Sequence, residues 1–233
     1  MEKNNIFRIY FYECPKVLYH WLRALPRLVW GAGEVLRLGE PRITIFGGSK
    51  VTTDPYVKEA HLLAKKLAEH DITILTGGGP GIMEAANCGA AEVAKIKNKK
   101  MSIGVSLRNG FLNEKMNLCA QEHILVEHLF ERKYLLTKFS SAFIVFPGGY
   151  GTLDELSEIL TLMEVKRMPC LPVILFGREF WQPCVNWVDE YISKKSLIPM
   201  RAIELITITD DIEEVFTLIH KSCTYYTEPP KKS

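Results

Sequence analysis

From residue 41 onward, short β-branched runs alternate with helical stretches of ten or more residues, and three of the runs end in glycine-rich turns. RITIF at 42–46 stops at Gly47-Gly48-Ser49, the run at 72–75 stops at Thr76-Gly77-Gly78-Gly79, and AFIVF at 142–146 stops at Pro147-Gly148-Gly149. Further strands are expected at 101–105, 124–126, 171–176 and 203–207. Helical spacing covers 54–70, where Val57, Leu62, Leu63, Ala64 and Leu67 lie near one face and Asp54-Pro55 suit a helix start. Helices are also expected at 81–94, 129–139, 151–166, 180–193 and 212–220. This alternation predicts an α/β chain with a mostly parallel sheet and helices on both faces. In such open sheets ligands bind beyond the carboxyl ends of the strands. All three glycine turns fall on that edge.

The same pattern sets the organisation. Residues 41–223 read as one domain, because no linker is long enough to divide them, and 224–233, with Pro229-Pro230 and two lysines, as a flexible tail. Residues 1–40 form an N-terminal helical extension. Its apolar stretch at 18–38 is interrupted by Arg23, Arg27, Glu34 and Arg37 and broken by Pro26, so it falls short of the ~20 apolar residues that span a bilayer. A secretory leader is not expected either. The stretch reads as an amphipathic appendage on the main domain or on a neighbouring subunit, with an ordinary extra core helix equally open.

A net charge of +2 is too near zero to imply nucleic acid or a membrane surface as partner, so anion binding has to be built locally. The six cysteines contain no C-x-x-C pair, which argues against a zinc ribbon and predicts reduced thiols in a cytoplasmic chain without a disulfide framework. The histidines have no metal-ligand spacing, and no metal is expected. Lys95, Lys97, Lys99 and Lys100 read as a solvated helix end, and Trp181 and Trp187 as core or interface.

Val145-Phe146-Pro147-Gly148-Gly149-Tyr150-Gly151-Thr152-Leu153-Asp154-Glu155 carries the strongest chemical signal. A buried strand runs through glycines straight into a helix, whose free N–H groups and positive dipole end make a phosphate site. Thr152 adds a hydroxyl in the first turn, and Glu155, one turn in, can act on the bound molecule rather than on its phosphate. A plain strand–helix turn, with Glu155 merely favouring the helix dipole, is the simpler alternative. A second such junction runs from Thr76 to Glu84; it fails the G-x-G-x-x-G pattern, and no G-x-x-x-x-G-K-[ST] is present. Glu131-Arg132-Lys133 places two cations just upstream of the PGG strand, where Arg132 offers a planar fork for phosphate or sugar.

Taken together, GGGPGIMEAAN, FERK and PGGYGTLDE resemble the Lonely Guy (LOG) family of cytokinin riboside 5′-monophosphate phosphoribohydrolases, which also carries the label possible lysine decarboxylase. The resemblance covers about residues 41–222. It implies a modified Rossmann-like, doubly wound fold, cleavage of a nucleoside 5′-monophosphate to free base and ribose 5-phosphate without a cofactor, and a homodimer. It further implies that Arg132 and Glu155 are catalytic, and that Lys133, Gly148, Gly149, Gly151 and Thr152 surround the nucleotide. Gly48 and Ser49 match a substrate-contacting turn, with Gly78, Gly79 and Glu84 in the second motif. Glu84 stands where plant members have Gly, and Phe130 where they have His. Both departures resemble longer bacterial members and leave AMP as an alternative to a cytokinin nucleotide.

A carboxylate beside the sugar suits this chemistry, since an oxocarbenium-like state forms as the ribosyl–base bond breaks. Phosphate anchoring supplies remote binding energy. Two other readings were weighed. A nucleotide-binding or carrier protein could use the same fold without cutting. Lysine decarboxylation would need a Schiff-base lysine; His220-Lys221 faintly resembles such a motif, with Leu218 where Ser would stand. Met83 and Leu129 are candidates for the base pocket by placement.

Overall fold

A computed structural model of the chain describes residues 14–52, 55–108, 115–198 and 205–227, with side chains to residue 221. Seven parallel strands form one sheet: β1 (Arg42–Phe46), β2 (Thr73–Thr76), β3 (Ser102–Leu107), β4 (Glu122–Val126), β5 (Ala142–Val145), β6 (Val173–Phe176) and β7 (Ile206–Thr209), in the spatial order β4-β3-β2-β1-β5-β6-β7. The helices are α1 (Cys14–Leu36), α2 (Pro55–Glu69), α3 (Ile82–Lys97), α4 (Leu129–Lys138), α5 (Tyr150–Glu164), α6 (Arg178–Val188) and α7 (Ile212–Thr227). The fold is the α/β sheet that the alternation predicts and the doubly wound, Rossmann-like one that the family resemblance implies, and every described strand pair is parallel.

Period-two alternation sends the strand side chains into two cores. Ile43, Ile45, Ile74 and Ile144 pack under α2, α3 and α7, while Phe46, Leu75, Phe143 and Val145 pack under α1, α4, α5 and α6. Small residues decide the closest approaches: a Cβ at Gly89 of α3 would lie 2.1 Å from the His61 carbonyl oxygen of α2. The chain runs outward from β1 to β4 and then returns to place β5 beside β1, so the strand order reverses between β1 and β5. That reversal opens a crevice at the carboxyl edge.

Most expected elements are present, with ends shifted by a few residues. The helix expected at 180–193 is α6 followed by a π-helical turn at Asp189–Ser193. Asp54 and residues 203–204 lie outside the described residues. Of the tail read from Thr224, the first four residues continue α7 and the rest lie outside the described residues. Trp181 is fully buried, whereas Trp187 is exposed and stacks on Tyr191. The lysines after α3 are not simply solvated: Lys97 donates to the carbonyls of Ala68 and Glu69, and Lys99 pairs with Asp71. Among the described residues, no helix is long and apolar enough to cross a membrane.

Pro26 does not break the extension, because α1 runs through it without interruption. The missing N–H would have met the carbonyl of Leu22, and Leu22 is 64% exposed, so water can satisfy that oxygen. The opposite face docks on the body. Gly31 lets α1 approach α4 so closely that a Cβ there would lie 2.8 Å from a Leu135 methyl. Arg23 and Arg27 each reach Glu127 at 3.1 Å, and Arg27 Nε lies 3.5 Å from the buried Glu131 carboxylate.

Candidate active site

The turns after β1 and β5 touch across the crevice. Gly48 N–H donates to the Pro147 carbonyl at 3.0 Å, and a Cβ on Gly48 would sit 3.1 Å from the Cα of Gly148. Gly148 is equally confined, since its Cβ would lie 2.1 Å from Thr152 Oγ1. Thr152 is thereby buried against the PGG turn, whereas Gly149 and Gly151 face open space. The first N–H groups of α5 start from Gly149 at this edge, which is the geometry that holds a phosphate.

The β2 turn completes the floor. Gly81 packs against the β1 turn: Ile82 N–H donates to Gly48 O at 3.3 Å. Gly77 lies directly under the Arg132 guanidinium, where a Cβ would fall 1.8 Å from Nη2. Arg132 owes its position to the residue before it. Glu131, fully buried, accepts the backbone N–H groups of Glu127 and His128 at 3.0 and 2.7 Å, which ties down the first turn of α4. Arg132 Nη2 then reaches to 3.8 Å from Met83 Sδ and 4.0 Å from Glu155 Oε1. Both charged side chains are largely shielded, at 10% and 14% exposure, so each acts on its neighbour and on a bound molecule more strongly than it would in water.

The crevice therefore brings together Arg132, Glu155, Gly148 and Thr152, with Gly48 beside them. Two further expected members, Lys133 and Glu84, have other neighbours. Lys133 points to α5, pairing with Asp154 at 3.1 Å and Glu158 at 3.0 Å. Burial pushes its ammonium pKa down, but the Glu158 and Asp154 carboxylates more than offset this and hold it above the ordinary lysine value. Glu84 lines a groove of about 570 Å³ with Gly81, Lys58, His61 and Cys88. Met83 is buried against Arg132, while Leu129 is exposed.

Sequence reasoning missed the polar lattice beneath the β2 turn. Asn87, fully buried on α3, accepts from Thr76 Oγ1 at 2.6 Å and from Asn117 Nδ2 at 3.1 Å, and donates to Ser102 Oγ at 3.0 Å. Asn117 also holds the turn itself, its N–H on the Gly78 carbonyl and its Nδ2 on that of Gly79, both at 3.0 Å. The available signal was Asn87, a lone amide among Ala85, Ala86, Gly89 and Ala90. Asn117→Ala should lower stability by roughly 1–3 kcal/mol, because it strands the buried Gly79 carbonyl and removes the bonds to Asn87 Oδ1 and from the Ala120 N–H; an unchanged urea midpoint would show that the lattice does not hold the turn.

The expectation of reduced thiols is overturned at one pair. Cys88 and Cys119 form a disulfide, with Cα atoms 4.7 Å apart. Their separation of 31 residues carries no motif; the docking of the segment before β4 on α3 brings them together. Among the described residues no group of His, Cys, Asp and Glu is arranged to hold a metal.

Residues 68–219 match the family model described as "Possible lysine decarboxylase". The chain belongs to this family, the Lonely Guy family. The rice (Oryza sativa subsp. japonica) cytokinin riboside 5′-monophosphate phosphoribohydrolase LOG is 33% identical to it over 156 residues, 66% of this chain and 62% of the rice protein. The pyrimidine/purine nucleotide 5′-monophosphate nucleosidase of Escherichia coli (strain K12) is 29% identical over 165 residues, 68% of this chain and 36% of that protein. This Lonely Guy chain thus spans less than two thirds of the length of either relative. The molybdenum cofactor carrier protein of Chlamydomonas reinhardtii shares the fold, with a TM-score of 0.60 at 21% identity, covering 80% of this chain and 99% of that one. Lys221, the lysine that faintly resembles a decarboxylase motif, is exposed on α7, which packs on α2 in this Lonely Guy chain.

Proposed function

We propose that this chain hydrolyses the N-glycosidic bond of a nucleoside 5′-monophosphate, releasing the free base and ribose 5-phosphate. The observation that carries the reading is the facing of Arg132 and Glu155, 4.0 Å apart and shielded, beside a phosphate-holding helix start at the β1/β5 crevice. The names of the rice and Escherichia coli relatives support the same reaction. In this reading the Gly148–Thr152 turn and the Gly48-Ser49 turn grip the 5′-phosphate. Glu155 orients a water toward C1′ and stabilises the cationic sugar as the C1′–N bond breaks; the bond's electron pair and a proton leave with the base. Arg132, facing Glu155, presents its guanidinium to the sugar or phosphate.

AMP and a cytokinin riboside monophosphate are the two substrates proposed, the second following the rice relative's name. Working as a homodimer is part of the proposal, on the family resemblance. A cytoplasmic location is part of it too, where nucleoside monophosphates are at hand; the Cys88–Cys119 bridge is the observation that stands against that location. The test is incubation with a panel of purine and pyrimidine nucleoside monophosphates and chromatography for released base. Release from at least one is expected, and release from none would leave a binding protein in its place.

A further inference from the structure

We infer that the outward face of α1 is a coiled-coil-like seam that packs against α1 of a second copy of this chain. The inference is independent of the reaction proposed above. Leu18, Leu22, Leu25, Val29, Ala32 and Leu36 follow one another at spacings of four, three, four, three and four residues. This is the alternation that keeps one seam facing a partner helix over repeated heptads. It lies away from the stripe of Ala24, Gly31 and Val35 that buries α1 on the body. Of its members, Ala32 at the margin also packs on the body core, and the five large ones face outward. The five large members are each 58–65% exposed.

Three observations select a second copy as the occupant. The seam has the spacing that meshes with itself, so an identical helix meets it knob for hole. Its area is also sufficient: with Trp21 and Phe130, whose rings pack at 5.4 Å, the face exposes on the order of 800 Å² of apolar surface, about what each partner of a stable complex buries. That is more than a monomer ordinarily leaves in one patch. The charge pattern argues against an anionic lipid surface, because Arg23 and Arg27 are held by Glu127 and Glu131 and Arg37 is held by Glu34.

The test is the mass of the full chain by light scattering across a concentration series, beside the double variant Leu22→Glu/Val29→Glu. The variant's mass should be half that of the unaltered chain at equal concentration, whether this contact makes the dimer or joins two dimers. Both positions are exposed, so the far-ultraviolet dichroism should be retained. If the double variant does not fold, Leu25→Glu alone should shift the association constant at least tenfold. Equal masses for variant and unaltered chain would overturn the inference, and so would an unaltered chain that is monomeric throughout.

Discussion

Replacing Glu155 by glutamine is expected to lower turnover roughly 10²-fold or more while leaving nucleotide affinity within a few-fold. The amide keeps the shape of the side chain, and the phosphate grip of Gly148 and Thr152 does not depend on it. What is lost is the negative charge, 4.0 Å from Arg132 and only 14% exposed, where charge acts through little water. A simple turn-forming role for Glu155 would predict a small change in stability and unchanged turnover. Single-turnover kinetics beside a binding titration separate the two, since the proposal places the loss in the chemical step and not in affinity.

The largest stability effect should come from Gly81→Ala. Gly81 has φ of 71° and ψ of −128°, a region that side chains avoid. A Cβ there would also meet backbone oxygens of Gly48, Ser49 and Val51 at 2.5, 2.9 and 2.9 Å, none of which can swing away as a side-chain tip can. Backbone strain and steric conflict together should cost about 3 kcal/mol or more, and should part the β1 and β2 turns that form the crevice floor. Gly149→Ala supplies the contrast: at φ of −96° with open space around its Cβ, it should leave the denaturation midpoint within roughly 0.5 kcal/mol of the original. Equal midpoints for the two variants would contradict this packing of the crevice.

The glycine turns after β1, β2 and β5 were legible because each requirement is local: a strand must end, a helix must begin, and the backbone between them must carry no side chain. The pairing of Arg132 with Glu155 was legible only through family resemblance, since 23 residues of chain separate two residues that meet through α4 and α5. Lys133 and Glu84 mark the limit of that route. Motif position put both at the substrate, but a helix turns about 100° per residue. Lys133 accordingly pairs with Asp154 and Glu158, which flank Glu155 on α5, and Glu84 faces the groove toward α2 while Met83 packs on Arg132. Pro26 was misread because a proline's cost depends on whether the freed carbonyl meets water, which the order of residues does not state. The Cys88–Cys119 bridge and the Asn87–Asn117 lattice both depend on the segment before β4 settling onto α3. Neither partner announces the other along the chain.

The central claim is that a 5′-phosphate is gripped so that the neighbouring glycosidic bond can be cut. Its most direct test compares one nucleoside with and without the 5′-phosphate, measuring free base and sugar product together. With AMP as the probe, adenine and ribose 5-phosphate should appear in equal amounts, with kcat/KM for adenosine lower by roughly 10³-fold or more, because the phosphate's binding energy positions the sugar. Equal rates on a nucleoside and its 5′-monophosphate, or AMP and a cytokinin riboside monophosphate both bound and recovered intact, would contradict it.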